Sequence, residues 1–408
     1  MAYKIEKVLD GSVTTPRGFK AAGIACGIKK SGKLDLGLLV SQVRCTAAGV
    51  FTTNVVKGSS LLVTRDNLSD GHAQALLVNS GNANACNGER GLLDARELAR
   101  ITGRLLDIPN QDILPNSTGV IGEYLPLPRL RDGIESLVPL LSEEGGPILA
   151  QAMMTTDTVP KYTARRITAE NQSFTIGGIA KGAGMIHPNM ATMFGFLTTD
   201  ARISSESLRI FLMEAVEQSF NRFTIDGDTS CCDTVLFLAN GLSSGTDIVP
   251  DSSSIAHAFR EALLDLCLEL TYRLAHDGEG VTKVVKFIVN GFPSKEAAAV
   301  IARSIAISPL VKTAIHGEDP NWGRILNAAG YSGVNFDPTL VDLWIGDIQI
   351  LHHGEKTDYK DEDAHRVMQR TEYDIVLNFN AGKEKDFYIT TDFSKDYVDI
   401  NADYRHRT

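Results

Sequence analysis

The 408-residue sequence is poor in aromatic side chains, at 7% of the total with Trp at only 2 positions, and it contains no CxxC pair. Its 6 cysteines (Cys26, Cys45, Cys86, Cys231, Cys232 and Cys267) have neither zinc-site spacing nor the density of a disulfide framework. They read as reduced thiols of a cytoplasmic protein, and no metal is expected. Cys231 and Cys232 are adjacent, a spacing that rarely makes a structural bridge. A basic excess is also missing: Lys+Arg 40 against Asp+Glu 50 gives a formal net charge of -10. That balance argues against nucleic acid as a partner, because phosphate binding calls for a clustered basic surface. The most apolar stretch, 297–311, is broken by Arg303 and Ser304 and is too short for a bilayer. The opening residues carry charge without an apolar signal core, so no targeting segment or membrane partner is expected. Internal repeats, low-complexity linkers, GxxxxGK[ST] and GxGxxG are absent too, which leaves no phosphate-loop motif.

What remains is an ordinary globular composition, 43% hydrophobic and 22% charged, on a chain too long for one core. Leu208, Phe211, Leu212, Ala215 and Val216 recur at helical spacing behind Ser204 or Ser205, predicting a helix over 205–219. A second helix is expected over 254–275, stopped by HDGEG, and a third from Ser294 to just before Pro309. Strand patterns fall at 74–79, 172–180, 192–198, 233–239, 283–289, 341–350, 373–379 and 386–391. The class is α/β or α+β with layered sheets. A boundary near 281 divides a main domain, 1–280, from a smaller C-terminal α/β domain, 281–408.

The densest segment is GGIAKGAGMIHPNMATMFGFLTTD, 177–200. Gly177, Gly178, Gly182 and Gly184 permit tight backbone paths, Pro188 sets a rigid turn, and a strand-like run begins at Thr192. No helix follows the glycines, which weakens a phosphate-cradle reading. A threonine opening a strand after a small residue and a Pro-Asn turn can attack its own preceding carbonyl. The freed α-amine, with an ordinary pKa of roughly 7.7–8.0, then serves as base for the hydroxyl. Spacing alone favours reading Thr192 as an ordinary buried strand threonine. His187 is read as a turn residue, since the amine already supplies a base.

KGAGMIHPNMATM resembles the processing motif of the ornithine acetyltransferase (glutamate N-acetyltransferase) family, in which cleavage falls between Ala and Thr. The resemblance extends through TTPRGFKAAGIACGIKKSGKLDLGLL, FTTN, VNSGNANACNGERG, NSTGVIGE, MMTTDT, DGDTS, HDGEGVTK, HGEDPNWGRI and INADYR, in that order along nearly the whole chain. It implies an αββα sandwich with a smaller C-terminal α/β domain. It also implies self-cleavage between Ala191 and Thr192 into chains 1–191 and 192–408, paired as an α2β2 heterotetramer. The implied reaction is ping-pong, with acetyl passing from N-acetyl-L-ornithine to Thr192 and then to L-glutamate in arginine biosynthesis. No cofactor is implied. Acetyl-CoA is a second donor in the bifunctional form toward which the resemblance leans. The alternatives are a monofunctional ornithine acetyltransferase, or an N-terminal-nucleophile amidase or aminopeptidase on the same scaffold.

The same resemblance assigns roles. Thr192 is the nucleophile, and Thr118 and Gly119 form the oxyanion hole, where a glycine lets a backbone N–H approach closely. Thr155, with Thr156 one place along as the alternative, contacts substrate. Lys181 suits the substrate α-carboxylate, and Glu279 suits the ornithine side-chain ammonium or a substrate amine. Asn401 resembles a substrate-binding asparagine. The family's C-terminal Ser or Thr falls five residues later, where this chain has His406, so Thr408 is taken as its equivalent. SCCDT, 230–234, departs from a more usual Ser-Thr-Asn-Asp, placing Cys232 where an asparagine is expected. Asp319, Trp322 and Arg324 of GEDPNWGR read as a structural corner or subunit contact at least as readily as catalytic groups.

Overall fold

The computed structural model describes residues 3–187 and 193–403. Ala191 and Thr192, with Pro188, His406 and Thr408, lie outside the described residues.

The chain opens with strands β1 (Tyr3–Lys7), β2 (Phe19–Ile24) and β3 (Leu36–Phe51), then helix α1 (Ser59–Asn67). Strand β4 (His72–Asn82), helix α2 (Gly88–Leu106) and strand β5 (Ile113–Val120) form a parallel crossover unit. Helices α3 (Leu127–Leu137) and α4 (Gly146–Ala152) lead into the antiparallel pair β6 (Lys161–Ala169) and β7 (Gln172–Lys181). Beyond the undescribed junction come β8 (Phe194–Thr199), α5 (Ser205–Glu217), β9 (Thr234–Ala239) and α6 (Ser254–His276). Helices α5 and α6 begin where serine predicts. Ser204 and Ser253 each accept a backbone N–H three residues on, satisfying a donor the first turn leaves open.

These strands form one 9-stranded sheet in the order β1-β6-β7-β8-β9-β3-β4-β5, with β2 alongside β3. The long β3 folds that sheet over. Its first part, Leu36–Val40, runs beside β4, its last part, Thr46–Phe51, runs beside β9, and the register slips between Val40 and Cys45. Alternation then sorts the side chains into layers. Leu76 and Val78 of β4 face Ile179, Phe196 and Leu236 in a sheet-on-sheet core. Ala75 and Leu77, one residue out of phase, pack with Leu98 and Ile101 of α2 and Leu130 and Ile134 of α3. On the other side Phe174, Leu197 and Phe237 pack with Phe211 of α5 and Phe259 and Leu266 of α6. The order helix, sheet, sheet, helix is the expected αββα sandwich.

The remaining elements are β10 (Val284–Phe292), α7 (Lys295–Ala306), α8 (Pro309–His316) and α9 (Trp322–Gly330), followed by β11 (Asp342–Ile345), β12 (Ile348–His352) and β13 (Glu355–Lys356). Helix α10 (Asp361–Met368), β14 (Glu372–Asn378), β15 (Glu384–Thr391) and α11 (Lys395–Ala402) complete the described chain. They build a 6-stranded sheet, β13-β12-β11-β14-β10-β15. Its Val285 and Phe287 pack under Ile301 and Ile305 of α7. The single strand expected over 341–350 is instead the hairpin β11–β12. Gly346, at φ +59, reverses the chain, a conformation its missing Cβ permits. The apolar 297–311 stretch belongs to α7 and α8, bent 60° apart; among the described residues no single helix is long and apolar enough to cross a membrane.

Candidate active site

A cavity of about 360 Å³ opens where β5, the end of β7, the start of β8 and the segment before β9 converge. Thr118, Gly119, Thr155, Thr156, Lys181, Glu279 and Asn401 all line it, so residues scattered over most of the sequence meet in one place. Met193 and Phe194 line it as well, which puts the described chain just downstream of Thr192 at its wall.

Thr118 and Gly119 sit at the end of β5, next to Ser80 and Gly81 of the parallel strand β4. Gly119 holds φ +130, and a Cβ there would lie 2.4 Å from the Gly81 backbone carbon. Only glycine fits. Beneath this strand end lies a buried polar lattice: Ser117 donates to Asn79 at 2.6 Å and shares a 2.8 Å hydrogen bond with Ser60. Asn84 donates to the Gly91 carbonyl at 2.9 Å, and Asn87 to the Glu123 carbonyl at 2.6 Å. The asparagines of VNSGNANACNGERG therefore satisfy buried backbone groups and brace the loop under Thr118.

Lys181 closes β7 and is almost fully buried. Its ammonium donates to the Thr118 hydroxyl at 3.1 Å. Burial pulls its pKa below the ordinary lysine value, and the nearby Asp157 carboxylate partly offsets that. Asp157 is the hub that motif reading missed. One oxygen accepts from Lys161 at 2.7 Å and from the Gly182 amide at 2.7 Å; the other accepts from the Thr155 amide at 2.9 Å. Burial alone would raise its pKa, but the charges of Lys161 and Lys181 hold it well below the carboxylate range. Lys161 in turn donates to Asp277, at the C-terminal end of α6, at 2.5 Å, and Asp277 accepts from Thr158. One ionic network thus ties the MMTTDT loop, the Gly182 turn and the DGEG segment together. No motif signals it: Asp157 lies in the loop after α4 and Lys161 opens β6, where i, i+4 spacing implies no contact.

Glu279 reaches the cavity because its amide donates to the Ala183 carbonyl at 2.7 Å. Its carboxylate lies over Gly184, where a Cβ would come within 2.2 Å of Oε2. Asn401, on α11, donates to that same Oε2 at 2.8 Å. The turn itself is held from below by Asp226 of DGDTS, which accepts from the Met185 and Ile186 amides at 2.5 and 2.9 Å.

His187 points away from the cavity. Its Nε2 accepts from Arg303 of α7 at 2.9 Å, and Nδ1 lies 3.2 Å from the Thr224 hydroxyl, which itself donates to Ile186. The ring is therefore the neutral Nδ1–H form, and burial together with Arg303 pushes its pKa down to about 4. The HGEDPNWGR block also lies elsewhere: Glu318 holds Lys283 at 2.8 Å, and Trp322 lines a separate groove with Phe336. Cys231, Cys232 and Asp233 join the cavity wall, which the sequence reading did not anticipate.

The ArgJ family profile matches residues 20–406. The chain belongs to the ArgJ family. The Arginine biosynthesis bifunctional protein ArgJ of Symbiobacterium thermophilum is 47% identical over 399 residues, covering 97% of this chain and 99% of that protein. The ArgJ of Thermotoga neapolitana, with the same description, is 44% identical over 96% of this chain and 99% of its own. Among solved structures, the Bacillus halodurans ArgJ has a TM-score of 0.44 at 40% identity, covering 47% of this chain and 100% of that one. The ornithine acetyltransferase complexed with ornithine from Mycobacterium tuberculosis gives 0.44 at 39% identity, covering 46% and 100%.

Proposed function

We propose that this ArgJ-family chain moves an acetyl group from N-acetyl-L-ornithine to L-glutamate, with Thr192 carrying it between the two half-reactions. The observation that carries the reading is that Lys181 and Glu279 line one cavity. An ammonium and a carboxylate, both mostly buried, match the carboxylate and ammonium of an amino acid, while Thr118 and Gly119 line the same cavity and would supply the donors an acyl oxygen needs.

In the first half-reaction the Thr192 hydroxyl attacks the acetyl carbonyl and its proton passes to the Thr192 α-amine. The tetrahedral oxygen is held by the Thr118–Gly119 pair, and the amide nitrogen leaves as the ornithine amine after taking that proton. Glutamate then enters the same carboxylate seat and its amine takes the acetyl from the threonine ester. The free α-amine this requires comes from an N-to-O acyl shift at Ala191–Thr192, followed by hydrolysis. The two products, 1–191 and 192–408, stay together and pair into a heterotetramer in the cytoplasm, and acetyl-CoA serves as a further acetyl source. The description of the relatives as bifunctional arginine-biosynthesis proteins supports the pathway and a second activity.

The test is a paired assay on purified protein, with N-acetylornithine or acetyl-CoA as donor and glutamate as acceptor, alongside intact mass. N-acetylglutamate from both donors and two half-length masses are expected. Acetate release that ignores glutamate would replace this reading with an amidase, and a single mass of 44.2 kDa would remove self-cleavage.

A further inference from the structure

The cavity wall carries two thiols that the proposed acetyl transfer does not use. Cys231 and Cys232 are both buried from bulk solvent, yet both face the cavity. Their sulfurs lie 3.4 Å apart in a thiol–thiol hydrogen bond, and Cys232 also reaches the Ala83 carbonyl at 3.5 Å. Neighbouring residues in an extended strand point to opposite faces. These two share a face because the chain bends here, just ahead of β9. The bend is pinned from one side of the cavity: Thr52 donates to the Ser230 carbonyl at 2.9 Å, Asn54 to Thr229 at 3.0 Å, and the Gly58 amide to Cys231 at 2.9 Å. The pair is held ready.

We propose that Cys231 and Cys232 form a dithiol chelate for trivalent arsenicals, one that blocks the catalytic cavity when it is filled.

The geometry selects that ligand class. Among the described residues no group of three His, Cys, Asp or Glu side chains is placed to hold a metal ion, so a four-coordinate zinc site lacks donors. A trivalent organoarsenical needs only two sulfurs, its third valence being taken by carbon. Sulfur arms of roughly 2.3 Å, the length of a zinc–thiolate bond, would span the observed separation with an angle of about 95° at the shared centre. That is tighter than tetrahedral and suits a pyramidal centre. Reactivity points the same way: Cys232 can turn its one S–H from the Ala83 carbonyl to the Cys231 sulfur, and that hydrogen bond holds the Cys231 thiol down at about 7. Cys231 attacks first as a thiolate, and Cys232 follows and keeps its proton until the second bond forms. With phenylarsine oxide, two S–As bonds form while the As–O bonds break, and the oxygen leaves as water with both thiol protons. No oxidant or reductant is consumed. The bound phenylarsenic would stand beside Lys181 and Thr118, in the volume where an acyl group is proposed to bind.

The probe is phenylarsine oxide at one equivalent on the reduced full-length protein, read by non-denaturing intact mass. One phenylarsenic per chain is expected on the wild type and on Cys86→Ser, whose exposed thiol has no thiol neighbour in hydrogen-bond contact among the described residues. The adduct should survive excess glutathione and be stripped by dimercaptopropanol. It should be absent from Cys231→Ser and from Cys232→Asn, the latter restoring the amide expected at that position should serine disturb the bend. An adduct that persists in either folded variant, or that a monothiol removes, overturns the chelate. Acetyl transfer should fall in proportion to the adduct, and saturating N-acetylornithine should slow its formation. That arm rests on the proposed function; if untreated protein transfers no acetyl, the proposed function fails while the mass measurement still decides the chelate.

Discussion

Asn401 donates a 2.8 Å hydrogen bond to the Glu279 carboxylate, joining the last described helix to the segment that ends α6. That bond orients the carboxylate proposed to hold the ornithine ammonium, and hydrogen bonds to charged groups contribute about 1.5–3 kcal/mol. Asn401→Ala should therefore raise the KM for N-acetylornithine by roughly tenfold or more with a smaller change in kcat. Steady-state kinetics decide it, and an unchanged KM would remove Asn401 from the binding site.

Gly119→Ala places a Cβ against the Gly81 backbone at a φ of +130 that side chains rarely adopt. The strand end must shift and the proposed oxyanion donor with it. A loss of about 2.7–4 kcal/mol in transition-state stabilisation is expected, a fall in kcat of two to three orders of magnitude. Turnover within tenfold of wild type would show that this backbone is no oxyanion site.

Asp157→Ala should unfold the molecule more readily than any exposed ion-pair change. It leaves Lys161, fully buried, short of one of its two carboxylates and frees the Gly182 amide. Breaking a buried pair costs about 3–5 kcal/mol, against under about 1 kcal/mol for the exposed Lys4–Glu6 pair. Urea unfolding of Asp157→Ala and Glu6→Ala side by side gives the comparison; equal losses would contradict the hub.

His187 makes the fold acid-sensitive. Its pKa is about 4 in the folded state against an ordinary 6.5, so the unfolded chain binds the extra proton first. Stability is unpenalised above pH 6.5, falls as pH drops from there to about 4, and levels off below, a loss of about 3 kcal/mol in all. His187→Gln keeps an acceptor for Arg303 without the titration. Its Tm should drop less than wild type between pH 7 and pH 5, and parallel losses would rule His187 out as the cause.

Much of this was readable from residues alone. Helices whose caps and apolar stripe agree, such as α5 behind Ser204, fall where expected, as do single-signal strands such as β9. The hairpin β11–β12 was missed because strand-forming residues continue on both sides of the one glycine, Gly346, that breaks the run. Motif residues Thr118, Thr155, Lys181, Glu279 and Asn401 do converge on one cavity, yet only the family resemblance drew attention to them. Asp157 and Asp277 escaped notice because a buried charge network depends on which distant segments meet, and β7, α6 and the loop after α4 meet only in three dimensions. The cavity-facing thiols escaped for a similar reason, since adjacency in sequence says nothing about two side chains sharing a face.

The folded-over β3 sets a timetable for synthesis. Its far end pairs with β9, with Thr46 bonded to Ala239 across a separation of 193 residues, and β7 finds its inner neighbour only in β8. A chain emerging from the ribosome therefore carries unfinished sheet edges until β9 has been made, and such long-range closure is slow. The cavity wall is complete only once Glu279 and Asn401 arrive, long after Thr192 has left the exit tunnel. Any self-processing at that threonine would thus record that the sandwich has closed. The severed pieces would remain laced together by the β7–β8 ladder, as two chains of a single fold.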